Sequence, residues 1–229
     1  MPSRHQPIGF LPVAHKGQYA HRFGGTPSTP LPVCPNCSKP FVTFCTLDTS
    51  DPRISLSFPF PELPLIYCMR CAACWYSFSY QLNEAGEMSP LQIYRGSSDW
   101  WDEWYAEFTN VLPVTNFDLI SMPPKLAAII KKLTADIPLT KDENNQWNHL
   151  LGHKRGKAVD AINQVGGMPY SIQRVPSPEC LLCSETMQFL ASLCNDEDAG
   201  FRFMPDAWSA QIIFFFCTAC RVVSVIHST

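Results

Sequence analysis

Residues 212–226 read IIFFFCTACRVVSVI. Two runs of β-branched and aromatic residues flank Cys217 and Cys220, which are separated by two residues. Such runs are typical of β-strands. A C-x-x-C turn directs two sulfur atoms to the same side of the chain, where they can bind one metal ion. The segment therefore predicts a hairpin whose turn is a metal knuckle, and a metal held there would fix the register of the two strands.

The C-x-x-C motif occurs in two sets of two pairs, one set in each half of the chain. Two pairs supply the four thiolates of a tetrahedral Zn²⁺ site. Disulfides are the alternative interpretation, but the N-terminal residues have no apolar run of signal-peptide type, and reducing compartments disfavour disulfides. We predict two structural zinc ions per chain, with the ligand sets Cys34, Cys37, Cys68, Cys71 and Cys180, Cys183, Cys217, Cys220.

The chain has 11 cysteines, so three remain outside these sets. Cys45, Cys74 and Cys194 are expected to pack as small apolar side chains. Cys74 follows Cys71 at the same spacing, so it is an alternative ligand for the first site. Val223 stands at the corresponding place in the second set, which favours Cys71. Four thiolates leave no open position for water, so catalytic zinc is not expected.

The two cysteine sets lie inside longer matching segments. Gly24-Gly25 precedes the first set and Gly166-Gly167 precedes the second, each with a proline two residues later. In both segments a short apolar run follows the first C-x-x-C pair, at 41–47 and 187–193. These landmarks occur in one order, which predicts an internal duplication. Alternation of aromatic and polar residues over 76–82 predicts one further strand.

The region between the repeats has a different pattern. Aromatic residues recur at helical spacing after Ser97-Ser98, and Pro123-Pro124 precedes an apolar-periodic stretch that predicts a helix. Residues 142–164 also have helical character. We predict an α+β, β-rich fold of two related zinc-stapled β units with a mainly helical middle segment. The expected boundaries are 1–95, 96–164 and 165–229, in one pseudo-symmetric unit.

The aromatic cluster of the middle segment is the candidate partner-binding surface. Trp and Tyr are enriched in the residues that dominate binding energy at protein interfaces. A role in the core is the favoured alternative, but the three Trp residues cannot all face one side of a helix, so we expect one of them at the surface or at an interface. The candidate residues are Trp100, Trp101, Trp104 and Tyr105.

Composition and motifs exclude several classes of function. The formal net charge is -3, and this argues against a broad nucleic-acid surface. No apolar run approaches the roughly 20 residues that span a bilayer, and we expect a cytoplasmic protein without a membrane partner. G-x-S-x-G, H-E-x-x-H, P-loop and kinase motifs are missing from the sequence. The residues therefore favour a binding protein over an enzyme.

The motifs together resemble the YwqG-like family, which shares a superfamily with the programmed cell death protein 2 proteins. The matching residues are Phe23–Pro27, Cys34–Cys37 and Pro40–Val42 in the first half, and Val165–Gln173, Cys180–Cys183 and Met187–Leu190 in the second. The resemblance covers roughly 20–80 and 160–227. It implies a duplicated, β-rich fold that binds another protein.

The resemblance implies two kinds of partner. Bacterial relatives are regarded as immunity proteins of polymorphic toxin systems, and eukaryotic relatives as chaperones of a small-subunit ribosomal protein. A chaperone must shield a basic client, for which a net charge of -3 provides little attraction. We therefore expect an immunity protein that neutralises a cognate toxin domain by direct binding, with a ribosomal-protein chaperone as the alternative. A zinc-dependent enzyme or a nucleic-acid-binding protein is the further alternative.

Overall fold

The computed structural model describes residues 9–54, 56, 58–69, 77–93, 111–150, 162–170, 175–196, 200–201, 203 and 211–228. The strands are β1 (Phe10–Ala14), β2 (Arg22–Phe23), β3 (Val42–Asp48), β4 (Glu62–Tyr67), β5 (Phe78–Leu82), β6 (Met88–Ile93), β7 (Thr115–Ser121), β8 (Gln164–Val165), β9 (Gln188–Cys194), β10 (Gln211–Cys217) and β11 (Val222–Ser228). The helices are α1 (Pro124–Thr134) and α2 (Lys141–Leu150).

The described strands form one curled antiparallel sheet. Its order is β4-β3-β2-β7-β1-β8-β9-β10-β11-β5-β6. The β-rich architecture predicted from the sequence is confirmed. The predicted hairpin is formed by β10 and β11, with Cys217 opposite Val222 at its closed end. The five strands expected from the apolar runs are β3, β5, β9, β10 and β11, each within two residues of the expected bounds.

The two matching segments have the same backbone geometry. Strands β3 and β9 are both seven residues long, and each carries one extra residue relative to its partner strand, Phe44 and Leu190 respectively. The carbonyl of each extra residue accepts a hydrogen bond from a glycine, Gly24 N–H at 2.9 Å and Gly166 N–H at 2.8 Å. A β-bulge and the glycine turn that contacts it therefore occur once in each repeat.

Equivalent strands of the two repeats pair with each other. Strand β5 follows the second cysteine pair of the first set, β11 follows that of the second set, and the two strands pair antiparallel. Ser79 lies opposite Ser224, and their hydroxyl oxygens are 2.7 Å apart. On the other side of the sheet β1 pairs with β7, while β1 also pairs with β8 and β7 with β2.

The middle segment is helical only in part. Strand β7 lies within 96–164 and occupies the centre of the sheet, between β2 and β1. The sequence analysis missed this strand, although Asn116 and Asp118 alternate with the buried Phe117 and Leu119 in the pattern of a half-buried strand. The helix expected near 98–110 lies outside the described residues. The expected domain boundaries stay a prediction. The sheet includes strands from all three of the expected segments.

The two helices pack together against the outer face of the sheet. Helix α1 has Pro124 at its first turn, as predicted, and it buries Leu126, Ile129 and Ile130 with Trp147 of α2. Helix α2 begins at a capping box. The N–H of Glu143 donates to the Thr140 hydroxyl oxygen at 3.2 Å, and the Glu143 carboxylate accepts from the N–H of Thr140 at 2.9 Å. Neither described helix has the length and hydrophobicity needed to cross a membrane.

Aromatic rings fill the inside of the curled sheet. The Phe23 ring stacks on Phe117 and Phe201, with centroid distances of 4.5 and 4.0 Å. Phe44 and Phe203 extend this stack, at 4.7 Å from each other. All five side chains are buried. Each contributes roughly 1.5–3 kcal/mol relative to an exposed position, so this cluster is a major source of the stability of the fold.

The two ends of the curled sheet are joined by side chains. The buried Tyr80 hydroxyl of β5 donates to the Pro64 carbonyl of β4 at 2.8 Å and accepts from the N–H of Ile66 at 3.4 Å. Pro64 has no N–H to donate, so it suits a strand at the end of the sheet. Nearby, the Tyr67 hydroxyl lies 3.1 Å from Nδ1 of His227 in β11.

A buried ionic group attaches the turn after β3 to β7. Nδ1 of His21 accepts from the N–H of Asp48 at 3.0 Å, and Nε2 lies 2.7 Å from the Asp51 carboxylate. Arg53 bridges Asp51 and Asp118. Burial by itself would raise the pKa of Asp51, but hydrogen bonds from Arg53 and His21 outweigh it and hold that pKa below its usual range. This network is structural, because both ring nitrogens of His21 are already engaged.

The surroundings of Gly24 and Gly166 predict that substitution by alanine destabilises the fold more at Gly24 than at Gly166. Gly24 and Gly166 both have positive φ, 61° and 64°, which costs an alanine roughly 1–2 kcal/mol. A Cβ at Gly24 would lie 2.2 Å from the Pro113 carbonyl oxygen, whereas nothing lies within 4 Å of a Cβ at Gly166. In urea unfolding, we expect Gly24→Ala to lose about 3 kcal/mol or more and Gly166→Ala only the φ cost. Equal losses would contradict the close approach at Gly24.

Removing the Tyr80 hydroxyl tests the junction between β4 and β5. In Tyr80→Phe the Pro64 carbonyl and the Ile66 N–H both lose a buried partner. The expected decrease in the free energy of unfolding is about 1–3 kcal/mol. Tyr19→Phe is the control, because the Tyr19 ring is only half-buried and contacts Arg53 through its face, 5.2 Å from the guanidinium carbon. We expect it to change stability by less than about 0.5 kcal/mol.

Candidate metal centres

Two cysteine clusters form where the C-x-x-C turns meet. Cluster 2 consists of Cys180, Cys183, Cys217 and Cys220, and cluster 1 of Cys34, Cys37 and Cys68. Within each cluster the sulfur atoms all lie within 4.8 Å of one another. The structure therefore brings together seven of the eight predicted ligands. The eighth, Cys71, and its alternative, Cys74, lie outside the described residues.

The first C-x-x-C turn of each set has the same backbone hydrogen bonds. In cluster 1 the N–H of Ser38 donates to the Cys34 carbonyl at 2.8 Å, and in cluster 2 the N–H of Ser184 donates to the Cys180 carbonyl at 2.8 Å. Ser38 and Ser184 have φ of 57° and 59°. Arg221, directly after Cys220, has φ of 56°. A left-handed residue after the second cysteine is thus common to all three described turns.

The sulfur–sulfur distances fit a tetrahedral thiolate site. Cys37 Sγ lies 3.7 Å from Cys68 Sγ, and Cys183 Sγ lies 3.7 Å from Cys217 Sγ. Metal–sulfur bonds of about 2.3 Å at tetrahedral angles place two sulfurs about 3.8 Å apart. A disulfide requires about 2.05 Å. The cysteines of the described residues are free thiols, so the geometry favours metal binding over cross-linking by disulfides.

Hydrogen bonds to the Cys34 sulfur in cluster 1 stabilise its ionised, thiolate form. The Cys68 thiol, together with the N–H groups of Cys37 and Asn36, hydrogen-bonds to Cys34. These donors outweigh burial and lower the pKa of the Cys34 thiol to about 5. A thiolate at this position is the ionised form that a metal ion requires of its ligand.

In cluster 2 the sulfurs compete for ionisation. Burial opposes the charge on Cys180, but hydrogen bonds from the N–H groups of Leu182 and Cys183 outweigh it and lower its pKa. The hydrogen bond with Cys183, together with burial and the neighbouring sulfurs, raises the pKa of Cys220 to about 12. Four thiolates this close cannot all form without a compensating cation. A bound dication provides that compensation, so the donor set suits a divalent soft metal.

The spare cysteines are placed as predicted, as far as the structure describes them. Cys45 and Cys194 are buried at 0% and 3% exposure, away from both clusters. Burial raises the pKa of both thiols well above the usual value, so they stay neutral and pack as small apolar groups.

The remaining candidate site residues belong to the middle segment. Trp100, Trp101, Trp104 and Tyr105 lie outside the described residues, so the partner-binding surface stays a prediction. Sequence reasoning also missed the backbone donors that stabilise the thiolates and the left-handed residue after each cysteine pair. A signal for the latter was present, because Ser38 and Ser184 occupy the same place in the two repeats.

Comparison of the chain with models of protein families, with curated proteins and with solved structures produced no match. The fold and the two clusters therefore rest on the chain's own sequence and geometry.

An exposed cluster ligand provides a clean test of metal binding. The Cys183 side chain is exposed, so Cys183→Ser removes little packing. In metal-loaded protein we expect it to lower the free energy of unfolding by more than about 3 kcal/mol, because a ligand is lost. The neighbouring exposed Leu182→Ser should change it by less than about 0.5 kcal/mol. A similar small loss for both variants in urea unfolding would contradict a metal at cluster 2.

Proposed function

We propose that the chain is a non-enzymatic, protein-binding protein whose fold is stapled by two structural Zn²⁺ ions. The observation that carries the zinc part is cluster 2, where four sulfurs converge at distances that suit a tetrahedral ion. Cluster 1 repeats the arrangement with three described cysteines, and Cys71 would supply its fourth ligand. When bound, the ion supplies a cross-link between distant segments and no reactive position.

The zinc of cluster 2 would stabilise the junction between the repeats. The knuckle of cluster 2 is hydrogen-bonded to β5, a strand of the first repeat. The Gln81 side chain donates to the Cys220 carbonyl at 3.0 Å, and the N–H of Leu82 donates to the Arg221 carbonyl at 2.9 Å. Holding the knuckle in shape therefore also holds the end of the β5–β11 ladder.

The partner proposed for this protein is a toxin domain, with the chain acting as its immunity protein. Three considerations support this proposal. The motifs resemble the YwqG-like family, the four-thiolate ligand set leaves no open coordination position for catalysis, and the net charge of -3 provides little attraction for a basic client. Inhibition would then occur by occupation of the toxin surface, and no turnover is expected.

Metal analysis tests the zinc proposal. Protein purified without added metal should contain about two Zn²⁺ per chain, and Cys183→Ser about one. Removal of zinc by a chelator should lower the thermal unfolding temperature, because the metal-binding free energy is part of the folding free energy. A fully folded wild-type chain that contains no metal would refute structural zinc.

Co-purification tests the partner proposal. The tagged protein is isolated from its native cells with a high-salt wash, and the retained proteins are identified by mass spectrometry. We expect the toxic domain of a secreted effector in stoichiometric amount. A ribosomal protein in its place would support the chaperone function instead. Retention of no protein would contradict a binding role altogether.

A further inference from the structure

We propose that Cys183 and Cys217 form a peroxide-sensitive pair, so that oxidation by a hydroperoxide releases Zn²⁺ from cluster 2 while cluster 1 keeps its ion. This inference rests on the zinc sites proposed above and adds a regulatory chemistry to one of them. Its basis is the difference between two clusters that otherwise share their geometry.

The first difference is access to the sulfur atoms. The difference lies at the second cysteine of each set, because Cys183 is exposed and Cys37 is half-buried. The first and third cysteines are similarly buried in both sets, Cys34 and Cys68 at 0% and 1% exposure and Cys180 and Cys217 at 2% and 5%. A hydroperoxide must reach a sulfur lone pair to react, so exposed thiolate character controls where oxidation begins. Cys183 is the described cluster cysteine that best meets this condition.

The second difference is the packing around each cluster. Cys34 and Cys68 belong to the main aromatic core, and Met69, directly after Cys68, is also buried there. Cys180 and Cys217 belong to a small separate group with Met187, Ile213, Phe215 and Val222.

The turns differ directly after the third cysteine of each set. Thr218 after Cys217 is exposed, whereas Met69 after Cys68 is buried. The two sulfurs must approach from 3.7 Å to about 2.05 Å to form a disulfide. In cluster 2 this approach displaces exposed turn residues, whereas in cluster 1 it would disturb the main core.

The oxidation is balanced as follows. The Cys183 thiolate attacks one oxygen of hydrogen peroxide, the O–O bond breaks, and a sulfenic acid and hydroxide form. The Cys217 thiolate then attacks the sulfenic sulfur, an S–S bond forms, and a second hydroxide leaves. Two protons from solvent convert the hydroxides to water, so two thiolates are oxidised and one peroxide is reduced. An ion held by cluster 2 would then keep only the thiolates of Cys180 and Cys220, and this loss of two ligands would release it.

We expect oxidation of cluster 2 to affect β5, a strand of the first repeat. The turn that carries Cys217 and Cys220 accepts hydrogen bonds from Gln81 and Leu82, at the end of β5 where it pairs with the start of β11. A disulfide between Cys183 and Cys217 draws the two turns together, and this shifts the carbonyl groups of Cys220 and Arg221 that accept the hydrogen bonds. Oxidation should therefore increase hydrogen exchange of the β5 amides, an effect that depends on the tertiary contact and not on the metal alone.

The test measures zinc release and cysteine oxidation in the same sample. The zinc-loaded full chain is treated with hydrogen peroxide, released Zn²⁺ is followed with a chromogenic chelator, and the disulfide is located by differential alkylation and mass spectrometry. We expect about one Zn²⁺ per chain to leave at least about tenfold faster than the other, together with a Cys183–Cys217 disulfide. Cys45 and Cys194 should stay unmodified, since both are buried.

Two matched variants identify the cluster that responds. Histidine is also a zinc ligand, so Cys183→His is designed to keep the ion without the reactive thiol, and Cys37→His makes the same change in cluster 1. We expect Cys183→His to abolish the fast phase and Cys37→His to retain it. Release of both ions at one rate, release first from cluster 1, or fast release without the Cys183–Cys217 disulfide would overturn the proposal.

The outcomes also separate this inference from the proposed function. A wild-type chain that holds two zinc ions and resists peroxide refutes only the oxidation proposal. A folded wild-type chain that holds no zinc refutes both, because there is no ion to release. Binding of a toxin domain is measured independently and is unaffected by either result.

Discussion

The pairing of β5 with β11 is the contact on which the rest of the architecture depends. It joins a strand of the first repeat to the last strand of the second, and the ladder includes the Ser79–Ser224 hydroxyl pair. The pairing brings β5 over the edge of β4, where Tyr80 can reach the backbone of Pro64 and Ile66. The sheet therefore curls into one unit around a shared aromatic core, and the two repeats do not form separate domains.

Cluster 2 stands directly before β11, one of the two strands that form this pair. Cluster 2 lies at the turn between β10 and β11, and the same turn accepts hydrogen bonds from β5. An ion held there would stabilise both a local hairpin and a contact between residues more than a hundred positions apart. Cluster 1 has the same turn geometry, but Cys34 and Cys68 are part of the main core. The two clusters therefore share one geometry in different environments, and the inferred chemical difference between them follows from exposure and packing.

Several strands could be predicted from local sequence patterns, and most of the strands that could not be predicted contain a proline. The strands rich in β-branched and aromatic residues, β3, β9, β10 and β11, were visible in the sequence. Strands β1, β4 and β6 each contain a proline, at Pro12, Pro64 and Pro90, which lowers strand propensity. Pro64 and Pro90 lie on the two end strands of the sheet, which is where proline is usually found because one side of the strand has no ladder. Pro12 is tolerated because β1 pairs with β8 only at Phe10.

Spacing and local propensity were sufficient to predict the cysteine sets, the matching segments and the β-rich class. They were not sufficient to place β7 in the centre of the sheet, to pair β5 with β11, or to expose Cys183 while Cys34 is buried. Those features depend on contacts between distant segments, whose free energy comes from shared burial and from completed backbone hydrogen bonds. A pattern within one segment carries no information on which distant segment will cover it.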